Sequence, residues 1–137
     1  MLRMTFEDDP PAGFRGELGQ AINAFHAQTV PFQSRRFGLR LLDADDRMVG
    51  GLSGVMSWGW LFIDAVWVHP DTRGQGAGRR LVEQAEAYAL GQGCHSVWLD
   101  TFQALGFYQG MGYAVFGELD DYPGAQKRAF LRKRLIG

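Results

Sequence analysis

The stretch that most constrains this chain is an apolar run, Leu61 to Val68, that stops at His69-Pro70. It is followed at once by Arg73-Gly74-Gln75-Gly76-Ala77-Gly78 and then by an amphipathic segment. Strand, glycine-rich turn and helix in direct succession commit the chain to a crossover, because the next extended segment, marked by Val97, Leu99 and Thr101, returns to the same sheet. Alternating glycines let the backbone aim several N–H groups at one point, and the helix that opens there adds the positive end of its dipole. The ligand expected at such a turn is an anion, a phosphate above all.

The rest of the chain fits around this unit. Phe14, Leu18, Ile22 and Phe25 recur at helical spacing after Pro10-Pro11, and predict one amphipathic helix ending before Pro31. Arg3 to Glu7 is read as a short extended start. Phe37 to Leu42 and Met48 to Ser57 are extended, and Asp43-Ala44-Asp45-Asp46 between them is rich in turn formers, so they read as a hairpin. The Leu61–Val68 run is nearly continuous, as in a strand covered on both faces. Past the glycine turn, Leu81, Ala85, Tyr88 and Ala89 form an apolar stripe with Glu83, Gln84 and Glu86 on the other side, until Gly91 and Gly93 stop the helix. A short helix carries Leu105, Phe107, Tyr108 and Met111, and Tyr113 to Leu119 and Arg128 to Leu135 complete the strands. The fold class is α/β (α+β): a mixed sheet with helices on its faces.

Size and charge narrow the functions. With 137 residues, 46% of them hydrophobic, the chain suits a single domain with a sizeable core, and no repeat or linker divides it. A net charge of -1 gives no basic surface for nucleic acid or anionic lipid, so an anion site is local. The longest apolar stretch, Trp58 to Val68, is broken by Gly59 and Asp64 and falls short of the roughly 20 residues of a membrane span. One cysteine and the lack of a signal-peptide pattern point to the cytoplasm. Three histidines and Cys94 show no metal-ligand spacing, and no metal is expected.

Two glycine signatures fail here. A Walker loop needs Lys then Ser or Thr after its last glycine, where this chain has Arg79-Arg80, and a dinucleotide fingerprint is G-x-G-x-x-G, whereas Gly74, Gly76 and Gly78 alternate. The motif instead resembles the acyl-CoA-binding motif of the GNAT superfamily of N-acyltransferases, with Arg73, Gly76 and Gly78 at its defining positions. Val66-Trp67-Val68-His69-Pro70 looks like the preceding family strand, and Phe107-Tyr108-Gln109-Gly110-Met111-Gly112-Tyr113 like the later Phe-Tyr segment. The segments Leu99 to Ala104, Phe116 to Gly124 and Phe130 to Leu135 are similar to a bacterial branch of that superfamily, so the resemblance runs from about Phe37 to the C-terminus.

The resemblance implies a single N-acetyltransferase domain over residues 1–137, with a mostly antiparallel central sheet and acetyl-CoA as co-substrate. It puts the diphosphate on the N–H groups from Gly74 through Gln75, Gly76, Ala77 and Gly78 to Arg79, and the pantetheine arm on the strand backbone near Trp67 and Val68. Arg73, Arg79 and Arg80 are further candidates for phosphate contact, a solvated helix face being the alternative for the last two. Tyr108 resembles the family tyrosine that protonates the CoA thiolate, its alternative being helix packing, and the Val68 N–H is the candidate for polarising the thioester carbonyl.

An alkyl ammonium, with a pKa near ~10, needs a base or a water chain before it can attack a thioester. Asp64 is the first candidate, because a carboxylate in so apolar a run is costly to bury without purpose or partner. Strand alternation puts it on the side of Val66 and Val68, barring a bulge. The alternative is an Asp that merely bonds backbone or an arginine. Cys94 reads as a small buried residue, and His69 as a proton relay or a surface turn residue. Glu118, Asp120 and Asp121 form an acidic patch that Tyr122 could cover, with a plain solvated turn as the alternative.

Two departures from the family pattern stand out. The stretch from Thr101 to Phe107 is about two residues short, and one helix precedes the hairpin where many relatives have two. The leading expectation is an enzyme that moves an acetyl group to a primary amine of a small molecule or protein by direct attack in a ternary complex. The alternatives are a non-catalytic acyl-CoA sensor and a nucleotide-binding protein. A homodimer is an expectation from relatives alone.

Overall fold

The computed structural model describes residues 1–31 and 33–136. By its contacts the chain divides into two compact units, Met1–Phe32 and Gln33–Gly137. In the first unit, α1 (Ala12–His26) forms where the apolar spacing predicts a helix, and Pro11 precedes it in an extended conformation. None of its residues is buried. The Arg3 to Glu7 stretch joins no strand ladder.

In the second unit six strands form one sheet in the order β1-β2-β3-β4-β6-β5. They are β1 (Ser34–Leu42), β2 (Met48–Ser57), β3 (Trp60–Val68), β4 (Ser96–Thr101), β5 (Ala114–Leu119) and β6 (Arg128–Arg134). Every neighbouring pair is antiparallel except β3 and β4, which the crossover helix α2 (Ala77–Gly91) joins in parallel. A single turn of 3₁₀ helix, Pro70–Thr72, leads into the glycine turn, and the short α3 (Leu105–Gln109) follows β4. The mixed sheet and its crossover are as the sequence predicts.

The core lies between the sheet and α2. Leu61, Val82, Val97, Leu99 and Leu131 are fully buried, and each such side chain contributes about 1.5–3 kcal/mol of transfer free energy. The stripe on α2 is broader than its apolar letters suggest: Ala77, Leu81, Val82, Ala85, Glu86 and Ala89 are buried. Tyr88 sits at its rim, packed on the Phe37 ring at 4.7 Å. Glu86 is therefore not on the solvent face. It lies one turn after Val82 on the buried side, where the Tyr113 hydroxyl donates to it at 2.7 Å and the Lys133 ammonium at 3.0 Å. Burial and this carboxylate together push the Tyr113 phenol far above its ordinary range.

One irregularity shapes the middle of the sheet. Ser53 pairs with Ala65 and Gly54 with Ile63, which leaves Asp64 opposite no β2 residue. This β-bulge reverses the alternation along β3. Leu61 and Ile63 point into the core before it, and Val66 and Val68 pack against the core after it. Asp64 therefore does not share a side with Val66 and Val68. It continues the row of Trp60 and Phe62 on the face away from α2, and the expected strand covered on both faces is covered fully on one. On that other face Phe62 stacks on Trp98 at 4.1 Å.

Glu86→Ala leaves a buried phenol and an ammonium without their shared acceptor. Urea unfolding should show a loss of about 3 kcal/mol, the lower end of the range for a broken buried pair because Lys133 is partly exposed. A change within about 0.5 kcal/mol, the scale of surface substitutions, would contradict this reading of the network.

Candidate active site

Strands β3 and β4 pair for only three residues each, from Trp60 opposite Ser96 to Phe62 opposite Trp98. Beyond that point they part, and the space between them is a cleft of about 460 Å³. Backbone orientation on its β3 wall follows from the ladder with β2. The His69 N–H donates to the Val49 carbonyl at 2.7 Å, so the pairs of Trp67 with Gly51 and Ala65 with Ser53 are the bonded ones. The N–H and C=O groups of Val66 and Val68 then face the cleft. Arg73 fits this assignment, since its Nε donates to the Val68 carbonyl at 3.0 Å. Of the two strand residues expected at a pantetheine arm, Val68 turns its backbone to the cleft. The Trp67 backbone is committed to β2.

The glycine turn forms the next part of the wall. Gly74 and Gly76 have φ of +83° and +75°, a region in which other residues are strained, and Gly76 is the N-cap of α2 without a side chain to cap it. The first bond of α2 is from the Arg80 N–H to the Gly76 carbonyl. The amides of Ala77, Gly78 and Arg79 thus lie ahead of the helix ladder, and no backbone acceptor takes the N–H groups from Gly74 to Arg79 among the described residues. Gly74, Gly76, Ala77, Gly78 and Arg79 line a groove of about 440 Å³ together with Val68, Phe107 and Tyr108. Arg79 borders this groove, but its Nε donates to Glu83 at 2.8 Å. Gln75 is exposed on the turn and does not line the groove.

Groove and cleft meet. Val66, Arg73, Ala104 and Tyr108 line both. Tyr108 reaches this junction because the Thr101 hydroxyl accepts the Ala104 N–H at 3.1 Å, turning β4 into α3. Its ring is buried edge-on against Phe107 and Tyr113, and burial raises its pKa above the ordinary phenol value. The phenol therefore keeps its proton at neutral pH.

Asp64 borders the cleft, where Arg36 Nη1 donates to its carboxylate at 2.9 Å. Burial pushes its pKa up, but hydrogen bonds from Arg36 and Ser53 and the Arg36 charge outweigh that, and the net shift is downward. The arginine partner that the sequence left open is Arg36. Cys94 is buried with its thiol pushed up by burial, the reverse of an activated nucleophile. His69 accepts the Asp71 N–H on Nδ1 at 3.1 Å and caps the 3₁₀ turn. No group of three or more potential metal ligands occurs among the described residues, and none of their helices is long and apolar enough to cross a membrane.

Sequence reasoning missed the far wall of the cleft. Asp100, Thr101, Phe102, Gln103 and Arg128 line it, with Arg128 Nη1 donating to Asp100 at 2.7 Å and its guanidinium 4.0 Å from the Tyr122 ring. Asp100 at the end of a parallel strand was the one legible signal; a partner 28 positions away was not. Tyr122 covers Arg128 rather than the acidic turn, whose Glu118 and Asp120 lie 3.7 and 4.0 Å from Lys127.

Comparison with known proteins agrees with this geometry. Residues 4–113 match the acetyltransferase (GNAT) family model. An acetyltransferase of Agrobacterium fabrum is 30% identical over 125 residues, which is 84% of this chain and 91% of that protein. A blasticidin-S acetyltransferase of Streptomyces morookaense is 44% identical over 79 residues, a match spanning 56% of this chain and 58% of that protein's length. A crystal structure from Agrobacterium tumefaciens, described as an acetyltransferase, superposes with a TM-score of 0.90 at 26% identity, covering 97% of this chain and 99% of that one. The chain belongs to the acetyltransferase (GNAT) family, an acyl-CoA-dependent class of N-acetyltransferases.

Two substitutions probe the wall. Gly76→Ala should lower stability by about 1–2 kcal/mol, the cost of a side chain in the left-handed region, whereas Gly78→Ala should cost less, since its Cβ meets Phe107 at an ordinary 3.6 Å. Equal losses in thermal denaturation would contradict the strain argument. Arg36→Met should move the Asp64 pKa upward in a carboxyl NMR titration, because burial is then opposed mainly by the Ser53 hydrogen bond. In the intact protein the lowered value stabilises the fold above the ordinary carboxylate pKa, and that contribution fades as pH falls through the folded value.

Proposed function

We propose that the chain transfers the acetyl group of acetyl-CoA to a primary amine by direct attack within a ternary complex, with residues 1–137 acting as one acetyltransferase domain. The observation that carries this reading is the meeting of groove and cleft at Tyr108. The diphosphate rests on the uncommitted amides from Gly74 to Arg79 and on the α2 dipole. The pantetheine arm extends β3 as a strand would, using the Val66 and Val68 backbone where β4 has withdrawn. This brings the thioester to the junction, with the Val68 N–H available to its carbonyl oxygen.

The amine approaches from the side of Asp64. A carboxylate held below its usual range is ionised at neutral pH and is a weak base. Asp64 therefore holds the ammonium and passes its proton to water rather than keeping it. The neutral nitrogen attacks the carbonyl carbon, the C–N bond forms and the C–S bond breaks. The sulfur leaves with the electron pair and takes the Tyr108 proton, which the nitrogen's remaining proton restores through solvent. Trp67 serves this reading with its side chain, which lines an open groove with Arg40 and Met48 on the face away from α2, the side from which an acceptor body comes.

Thiol release from acetyl-CoA across a panel of amines tests the proposal. Tyr108→Phe should lower kcat about a hundredfold or more with acetyl-CoA affinity retained. Tight CoA binding with no amine-dependent thiol release by the wild-type chain would instead support a non-catalytic sensor.

A further inference from the structure

The sequence places Arg73 among the phosphate contacts, but its side chain is turned elsewhere. Its Nε donates to the Val68 carbonyl, on the part of β3 that β4 has left. It also lines both the groove and the cleft. Only three other residues do so, and of the four only Arg73 and Tyr108 carry a polar side chain. Among the described residues, the one permanent positive charge shared by groove and cleft is thus the guanidinium of Arg73.

We propose that Arg73 is a catalytic residue, its guanidinium stabilising the negative charge on the departing CoA sulfur at the thioester end rather than neutralising the diphosphate. The inference rests on the acyl-CoA reading of the site and adds to it. Tyr108 alone is a poor answer to the leaving group, because a buried phenol holds its proton tightly and releases it only as charge builds on sulfur. A fixed cation beside the sulfur lets the C–S bond break before that proton has moved. The geometry is pre-set, since the strap to Val68 fixes Nε in a side chain that lines both groove and cleft.

Other charges around the junction are already engaged. Asp64 is paired with Arg36 and Asp100 with Arg128. The His69 ring nitrogen Nδ1 caps the 3₁₀ turn, and Arg79, on α2, is bonded to Glu83. Among the described residues no carboxylate is bonded to Arg73, whose partner is the Val68 carbonyl, so its charge is not cancelled by a direct partner there.

Binding of CoA and of desulfo-CoA, which lacks the thiol, isolates this role from cofactor recognition in general. For the wild-type chain the affinity for CoA relative to desulfo-CoA should rise about tenfold between about pH 6 and about pH 9, because a thiol beside a cation ionises earlier than in water. Arg73→Gln keeps a donor for the Val68 carbonyl but has no charge, and its ratio should be flat with pH while desulfo-CoA still binds. Arg73→Lys should restore the slope. A slope that survives in Arg73→Gln, or is absent from the wild type, overturns the role at sulfur, since a purely structural strap would leave the ratio unmoved. If wild-type protein binds neither ligand, the acyl-CoA reading itself fails and this inference goes with it.

Discussion

A parallel strand pair that holds together for three residues and then separates must leave main-chain groups facing empty space. In this chain the separation of β3 from β4 is the constraint on which the rest depends. Stacking of Phe62 on Trp98 closes the paired end. Just beyond it the bulge at Asp64 adds a residue to β3 that β2 does not match, and the strand bends away. The amides of Val66 and Val68 are then exposed to the cleft in the alternating pattern of an unpaired sheet edge. Such an edge offers its hydrogen bonds to water, a loop, a strand or a ligand.

The same stretch of backbone sets the chemistry. Because β3 runs on through His69-Pro70 into the glycine turn, the edge amides of Val66 and Val68 and the helix-start amides from Gly74 to Arg79 are two sets of donors on one stretch of backbone, separated by a 3₁₀ turn whose own N–H groups are bonded internally. A ligand with a phosphate at one end and an amide-bearing tail at the other fits these two sets, and CoA has this form. The bulge also turns Asp64 onto the face away from α2. The carboxylate is thereby set across the sheet from the Val66 and Val68 side chains.

The sequence made the order of elements, the crossover and the glycine turn legible, because each rests on local signals: periodicity, proline and glycine placement, and turn-forming residues. Its failures share one physical cause. Glu86 and Asp64 are polar letters whose placement depends on partners far along the chain, Tyr113 and Lys133 for the first and Arg36 for the second. A period of 3.6 assigns Glu86 to the buried side of α2 once Val82 is counted, but its charge argued otherwise until the partners were known. A bulge cannot be read from alternation at all, since alternation is what it interrupts. The Asp100–Arg128 wall was hidden for the same reason, being built from β4 and β6 together.

The family relation and the local geometry bear on different questions. Membership in the GNAT family, with coverage of most of the chain, accounts for the fold and the class of chemistry. Under the proposed reading the acceptor is chosen outside the glycine motif, by Arg36 on Asp64, Arg128 against Tyr122, and Trp67 with Met48. Amide NMR during titration with CoA tests the central claim most directly. The account predicts that the backbone signals of Val66, Val68 and Gly74 through Arg79 move together and saturate, while ATP leaves those of Val66 and Val68 in place. Saturable binding that moves none of these strand amides would contradict it.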